Sequence, residues 1–243
     1  MEFTIKLTFL FMCGTIFGWC IELLWRRYFG LAKRWINPGF LNGPWLPLYG
    51  FGTIVLYFLS SLKIDIVYLI PIFLLSLTTL EFFTGLFFLN FFKIRLWDYR
   101  QKKLNIMGLV CPFYSFLWTL IGTFFYYLIY PVLKENIVSL LIRYDLVFFV
   151  GIFFGVFGVD VVVSFNLANR IKMSVIASGH KWHVEYERLK IELRDRFEQG
   201  IKNRTHFLLP FNGESGLLLN KRLSEHREKI LKPIKNIKNR LKL

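Results

Sequence analysis

Apolar residues fall along this chain in five blocks, at about Phe3–Trp25, Trp45–Leu62, Ile66–Phe92, Met107–Ile129 and Leu146–Phe165. A hydrocarbon core of roughly 30 Å needs about 20 residues of helix, so the blocks predict five transmembrane helices. The first starts almost at Met1, with no basic region ahead of it and no small-residue cleavage site after it, and reads as an uncleaved span. The second is short and opens with Pro and Gly, while the third is long enough to tilt. After Asn166 the pattern changes. Trp182, Tyr186, Leu189, Leu193, Phe197 and Ile201 recur at spacings of three and four, which predicts an amphipathic helix with one apolar stripe. Pro210 and the 212–216 run break it, a second helix follows from about Leu217, and Pro233 ends or bends that one. The expected organisation is an all-α transmembrane domain over 1–166 and a basic cytoplasmic tail over 167–243.

Composition supports this division. Of 243 residues, 55% are apolar and 19% aromatic, with 28 Phe, more apolar surface than a water-soluble exterior tolerates. Disorder, a collagen-like fibre, a disulfide scaffold and an ordinary cytosolic enzyme are excluded. Charge then orients the chain. Of its 31 Lys and Arg residues, 27 lie in 26–44, 93–106 and the tail, against Lys6, Lys63, Lys134 and Arg143 on the other side. The positive-inside bias therefore predicts an external N-terminus and a cytoplasmic C-terminus, in a bacterial inner membrane. With 18 basic and 8 acidic residues, the tail is expected to lie on anionic lipid headgroups or to meet a partner protein. Nucleic acid is the weakest candidate, because no recognisable binding motif accompanies the charge. Cys13, Cys20 and Cys111 sit in or beside apolar blocks and read as packing residues.

Three carboxylates fall inside predicted spans: Glu22, Glu81 and Asp160. Each costs ~2.5–3.5 kcal/mol at the bilayer centre and should face protein or water. All three fall in the cytoplasmic half of helices running outside to inside, where they could surround one inward-open cavity. Glu22 could instead pair with Arg26 one turn on and anchor the interface, and Asp160 could satisfy a helix contact. Glu81 is the deepest, lacks a basic residue within a turn, and has Thr78, Thr79 and Thr84 nearby. Asp98 lies in a basic loop between Arg95 and Arg100, with Trp97 and Tyr99 at the headgroup level. It either closes the Glu81 site or forms a local ion pair.

The segment Asn37–Gly52 reads NPGFLNGPWLPLYGFG, four Gly and three Pro in 16 residues. Such a segment does not enter a helix regularly. It predicts either a partly unwound stretch presenting backbone groups, Asn37, Asn42 and Tyr49 to a ligand, or a tight hairpin loop. Gly43-x-x-x-Pro47-x-Tyr49 recurs as Gly108-x-x-x-Pro112-x-Tyr114, each following a helix with one Glu. The recurrence suggests two helical hairpins related as parallel repeats, plus a lone fifth helix.

Glu81-Phe-Phe-Thr-Gly85, Trp97-Asp98-Tyr99, Asn105-Ile-Met-Gly108 and Asn37-Pro-Gly-Phe-Leu-Asn-Gly-Pro44 with Pro47-Leu-Tyr49-Gly50 resemble the bacterial CmpB-like family. Its members carry the labels putative ABC-transporter type IV and putative ABC transporter permease. The resemblance spans roughly 9–122 and implies a permease-like role, with Asn105 and Trp97 added to the candidate binding residues. It also implies a separate nucleotide-binding subunit and leaves room for a homo-oligomer. The chain departs from the family pattern at Pro38, Leu89, Arg100 and Leu109, where relatives carry Arg, Glu, Ser and Arg. An acid and a base lost together at Leu89 and Leu109 would suit a buried pair.

No G-x-x-x-x-G-K-[ST], H-E-x-x-H, G-x-S-x-G or G-x-G-x-x-G occurs. No catalytic residue, cofactor or metal is therefore expected; His180 and His183 read as surface histidines rather than ligands. The leading expectation is a transport component whose cytoplasm-facing site is built by Glu81, Glu22, Asp160, Asp98 and the 37–52 segment. Two others stand beside it: an intramembrane protein that binds or modifies a lipid headgroup, and an adaptor acting through its basic tail.

Overall fold

The computed structural model describes residues 2–30, 33, 35–134, 144–177, 184–186, 190 and 191. Five helices dominate: α1 (Glu2–Phe29), α2 (Pro47–Ser60), α3 (Ile66–Phe87), α4 (Pro112–Phe124) and α5 (Tyr144–Ala177). A π-helical turn, Phe88–Phe92, prolongs α3, and another, Phe125–Ile129, prolongs α4 as its helix runs on to Lys134. Lys93, left-handed at φ 59°, stops the first of these extensions. Among the described residues, four helices are long and apolar enough to cross a membrane; α2, at 14 residues, is a shorter apolar helix of roughly 21 Å.

The elements differ from the predicted blocks where backbone chemistry intervenes. Trp45 and Leu46 precede α2 in the preceding loop because the helix opens on Pro47, whose missing N–H and fixed φ suit a first position. Met107–Val110, expected at the start of the fourth span, belong to the loop instead, and α4 opens on Pro112 in the same way. In that loop Leu104, Met107 and Gly108 are all left-handed, and Gly108 at φ 68° would bring an added Cβ within 2.5 Å of Arg100. At the other end of the chain, α5 runs well past the expected limit at Phe165. Val184 and Glu185, expected within the tail helix, are extended: they form strand β2, which pairs in parallel with β1 (Ile94–Arg95). Tyr186, Lys190 and Ile191 are helical, and the rest of the predicted tail helices, with His180 and His183, lies outside the described residues.

Small residues set the packing. An added Cβ would lie 2.3 Å from Thr53 at Gly14 and 2.2 Å from Tyr49 at Gly18, so these glycines allow α1 and α2 to approach closely. Leu56, Leu69, Phe73, Leu77, Trp118 and Phe125 form one core among α2, α3 and α4 with its π-turn. A second joins Phe11, Leu41, Trp45 and Phe153 between α1, the 35–46 segment and α5. The most apolar stretch of α5 is 11% buried against 22–28% in the other three long helices, so α5 lies at the periphery. The three cysteines are free; Cys111 is buried and Cys13 half-buried, as packing residues should be, whereas Cys20 is exposed.

Candidate functional site

Two acid–tyrosine pairs meet inside the bundle. On α1, Glu22 accepts Arg26 Nε on Oε1 at 3.0 Å and the Tyr49 hydroxyl of α2 on Oε2 at 3.1 Å. Both of its oxygens are thus satisfied, one by a cation. On α3, Glu81 is 3% exposed and accepts the Tyr99 hydroxyl on Oε1 at 3.0 Å. Its Oε2 is buried with no hydrogen-bond partner. The Trp118 indole lies close enough to act on the Glu81 carboxyl electrostatically without meeting hydrogen-bond geometry, and the charge of Glu22 also reaches it. The Trp118 ring packs on Tyr49, centroids 4.8 Å apart, and so links the two pairs. Tyr114 stacks on Tyr99 at 4.4 Å and 14°, fixing the ring that reaches Glu81.

Burial, reinforced by the charge of Glu81, pushes the Tyr99 phenol well above its ordinary range, so it stays a donor at neutral pH. Asp98 takes a different course. It accepts Arg100 Nε and Nη2 side by side, the shorter contact at 2.6 Å, and this hydrogen bonding holds its carboxyl below the usual range. The residue that enters the Glu81 site is therefore Tyr99, while Asp98 shapes the loop. Trp97 donates its indole N–H to Leu109 O at 2.7 Å, closing the same loop from the other side.

Asp160 forms a separate cluster. Its Oδ1 accepts the Asn42 backbone N–H, the Asn42 side-chain amide and the Ser164 hydroxyl, at 3.1, 2.9 and 3.0 Å. Oδ2 accepts Gly43 N–H and Trp45 Nε1, each at 2.8 Å. The Asn42 and Gly43 backbone N–H groups do face an anion, but that anion is a side chain of α5. None of these donors touches Glu22 or Glu81. Asn37 and Asn105 also turn inward. Asn37 Nδ2 donates to Leu41 O and Asn42 O while its Oδ1 accepts Trp19 Nε1 and Gly39 N–H. Asn105 Nδ2 donates to Lys102 O at 2.8 Å and its Oδ1 accepts Gly108 N–H at 2.9 Å. Each braces its own loop. The tail joins the first loop: the Tyr186 hydroxyl donates to Phe40 O at 3.1 Å, and the Lys190 ammonium donates to Asn37 O and Gly39 O.

The structure thus brings together Glu22, Tyr49 and Glu81 among the expected residues, and separates Asp160, Asp98, Trp97, Asn37, Asn42 and Asn105 from them. Tyr99 and Trp118 join the site unexpected. Tyr99 stood beside Asp98 in the Trp-Asp-Tyr motif, whereas Trp118 is one more aromatic in an apolar block and carried no signal. Leu89 and Leu109 are both buried, 5% and 1% exposed, which suits apolar side chains at these positions. No group of three metal-ligating side chains occurs among the described residues.

Long apolar helices enclosing a buried acid–tyrosine cluster make this a mostly helical protein of the membrane-embedded class. The chain belongs to the family described as "Putative ABC-transporter type IV", which matches residues 9–165 and so extends into α5, past Asp160. No curated relative and no solved structure gives a match.

Proposed function

We propose that this chain is the membrane-embedded component of a transport system, with the Glu22–Tyr49 and Glu81–Tyr99 pairs as its binding site for a cation, a proton or the cationic group of a substrate. The observation that carries the reading is the buried Glu81 Oε2 without a partner, beside a second carboxylate that already has one. A carboxylate at membrane depth is costly, and one left half-satisfied is costlier still, so it persists where something binds it.

In this reading the chain crosses a bacterial inner membrane five times, N-terminus outside and C-terminus inside, with α2 and its preceding loop together completing the short span. The site then opens toward the cytoplasm. The two helical hairpins, α1–α2 and α3–α4, act as parallel repeats. Support comes from their shared construction: an acid on the first helix, a loop braced by an Asn that accepts a Gly N–H, and a second helix opening on Pro with Tyr two residues later. They differ in that Tyr49 bonds its acid directly, while Tyr114 supports Tyr99, which does so. Having no P-loop, the chain would draw on ATP only through a separate nucleotide-binding subunit, and its tail is the natural contact for one or for anionic lipid.

The test is mild extraction of the tagged chain from native membranes, with mass spectrometry of the proteins and small molecules that accompany it. A stoichiometric nucleotide-binding subunit, lost when the chain is cut after Ala177, is the expected result. Its absence, together with no small molecule whose retention depends on Glu81, would contradict the transport reading.

A further inference from the structure

We infer that the site between Glu22 and Glu81 takes a primary ammonium group, a single positive charge that brings its own N–H donors. The inference rests on the binding-site reading above and names the ligand class of that site. The first argument is a charge count. The site holds two carboxylates, and Arg26 compensates Glu22 at 3.0 Å. Glu81 has only the neutral Tyr99 hydroxyl and forms no ion pair among the described residues. An ionised Glu81 therefore leaves one negative charge, and one monovalent cation cancels it.

The second argument concerns hydrogen bonds. Helical Thr53, Thr84, Thr119 and Thr123 all return their hydroxyls to the carbonyl four residues back, at 2.8–2.9 Å. Thr78, one turn before Glu81 on α3, does not, and its Oγ1 is buried with no partner. Glu81 Oε2 and Thr78 Oγ1 are thus two buried oxygens, a turn apart on one helix, both able to accept. A primary ammonium carries three donors and matches them. A quaternary ammonium supplies the charge but no N–H, and would leave both oxygens unsatisfied. A divalent metal ion finds too few ligands, since no three metal-ligating side chains gather among the described residues. The neighbouring Tyr49 and Trp118 rings add faces that attract any cation and so contribute affinity without choosing among amines. Tyr99 donates to the other oxygen of this carboxylate, and its loop is the element that would yield as the ligand enters.

A lipid ethanolamine headgroup and a free amine present the same ammonium, and the test separates them. The full-length protein in detergent is given phosphatidylethanolamine or phosphatidylcholine, and retained lipid is counted by native mass spectrometry. In parallel, ethanolamine and tetramethylammonium are titrated against tryptophan fluorescence. The expected result is a preference of roughly tenfold or more for the primary amine over its quaternary analogue. That preference should vanish in Glu81→Gln and weaken in Thr78→Val, which leaves the carboxylate intact. Selectivity in the lipid arm assigns the ligand to the membrane; selectivity in the soluble arm alone assigns it to the cytoplasm. Equal binding of primary and quaternary forms, both lost in Glu81→Gln, would overturn the ligand class while leaving a cation site. Wild-type affinity in Glu81→Gln would overturn the site as well. No binding of either amine by the wild type would overturn the inference outright.

Discussion

Replacing Asp160 by alanine should loosen α5 from the loop that precedes α2. Asp160 gathers five donors, but they are not equal. The Asn42 amide and the Ser164 hydroxyl rotate to other partners, and the Asn42 N–H is exposed enough for water to replace the carboxylate. Gly43 N–H and Trp45 Nε1 are fixed and part-buried, each 2.8 Å from Oδ2, and have nowhere else to turn. Each donor left unsatisfied costs ~1–3 kcal/mol, so the pair sums to roughly 2–6 kcal/mol. Removing a carboxylate from membrane depth offsets part of that, leaving a destabilisation of about 2–4 kcal/mol. Unfolding in mixed micelles followed by tryptophan fluorescence reads the magnitude, and hydrogen exchange at 42–45 locates it. Asp160→Asn should do comparable harm, because one of its two carboxamide positions must turn an N–H against another donor. A variant within about 0.5 kcal/mol of wild type, with 42–45 still protected, would refute the reasoning.

Three further outcomes follow from the geometry. Gly18→Ala puts a Cβ 2.2 Å from Tyr49 Cβ, so α1 and α2 must separate and the Glu22–Tyr49 bond must lengthen; the unfolding midpoint in mixed micelles should fall, and an unchanged midpoint would contradict the packing. Burial raises the Tyr99 phenol, so its contribution to stability is complete below pH ~10 and is lost only as pH climbs through the higher folded value; ultraviolet titration should show one fewer late-ionising phenol in Tyr99→Phe, and identical curves would refute the assignment. Arg100 lowers the Asp98 carboxyl, so that pair stabilises the 93–111 loop above pH ~3.9 and lets go as pH falls through the lowered value. Asp98→Asn should cost under ~1 kcal/mol and remove this acid step from loop hydrogen exchange, whereas an undiminished step would place its origin elsewhere.

Much of the fold was legible in the apolar blocks, because a bilayer demands long uninterrupted runs and the third block, Ile66–Phe92, matches its helix in full. Boundaries at Pro47 and Pro112 were displaced because hydropathy does not distinguish an apolar loop residue such as Trp45 or Val110 from a helical one. Both prolines were visible as helix openers all the same. Depth marked Glu81 and Glu22 as notable but could not tell a pairing acid from a latch. Asp160 looked like their equal until its donors were seen to come from a loop more than a hundred residues away. The tail strand at Val184–Glu185 was hidden for a related reason: its helical periodicity is real, but pairing with the 94–95 edge overrides it.

The central claim is that Glu81 is kept for binding at a cost to the fold, and the unfolding free energy of Glu81→Gln tests it most directly. The glutamine still accepts from Tyr99 and removes the uncompensated charge. The account predicts a protein at least as stable as wild type that fails to restore function in a strain lacking the native chain. A loss of about 2 kcal/mol or more with function retained would make Glu81 a structural residue and contradict the account.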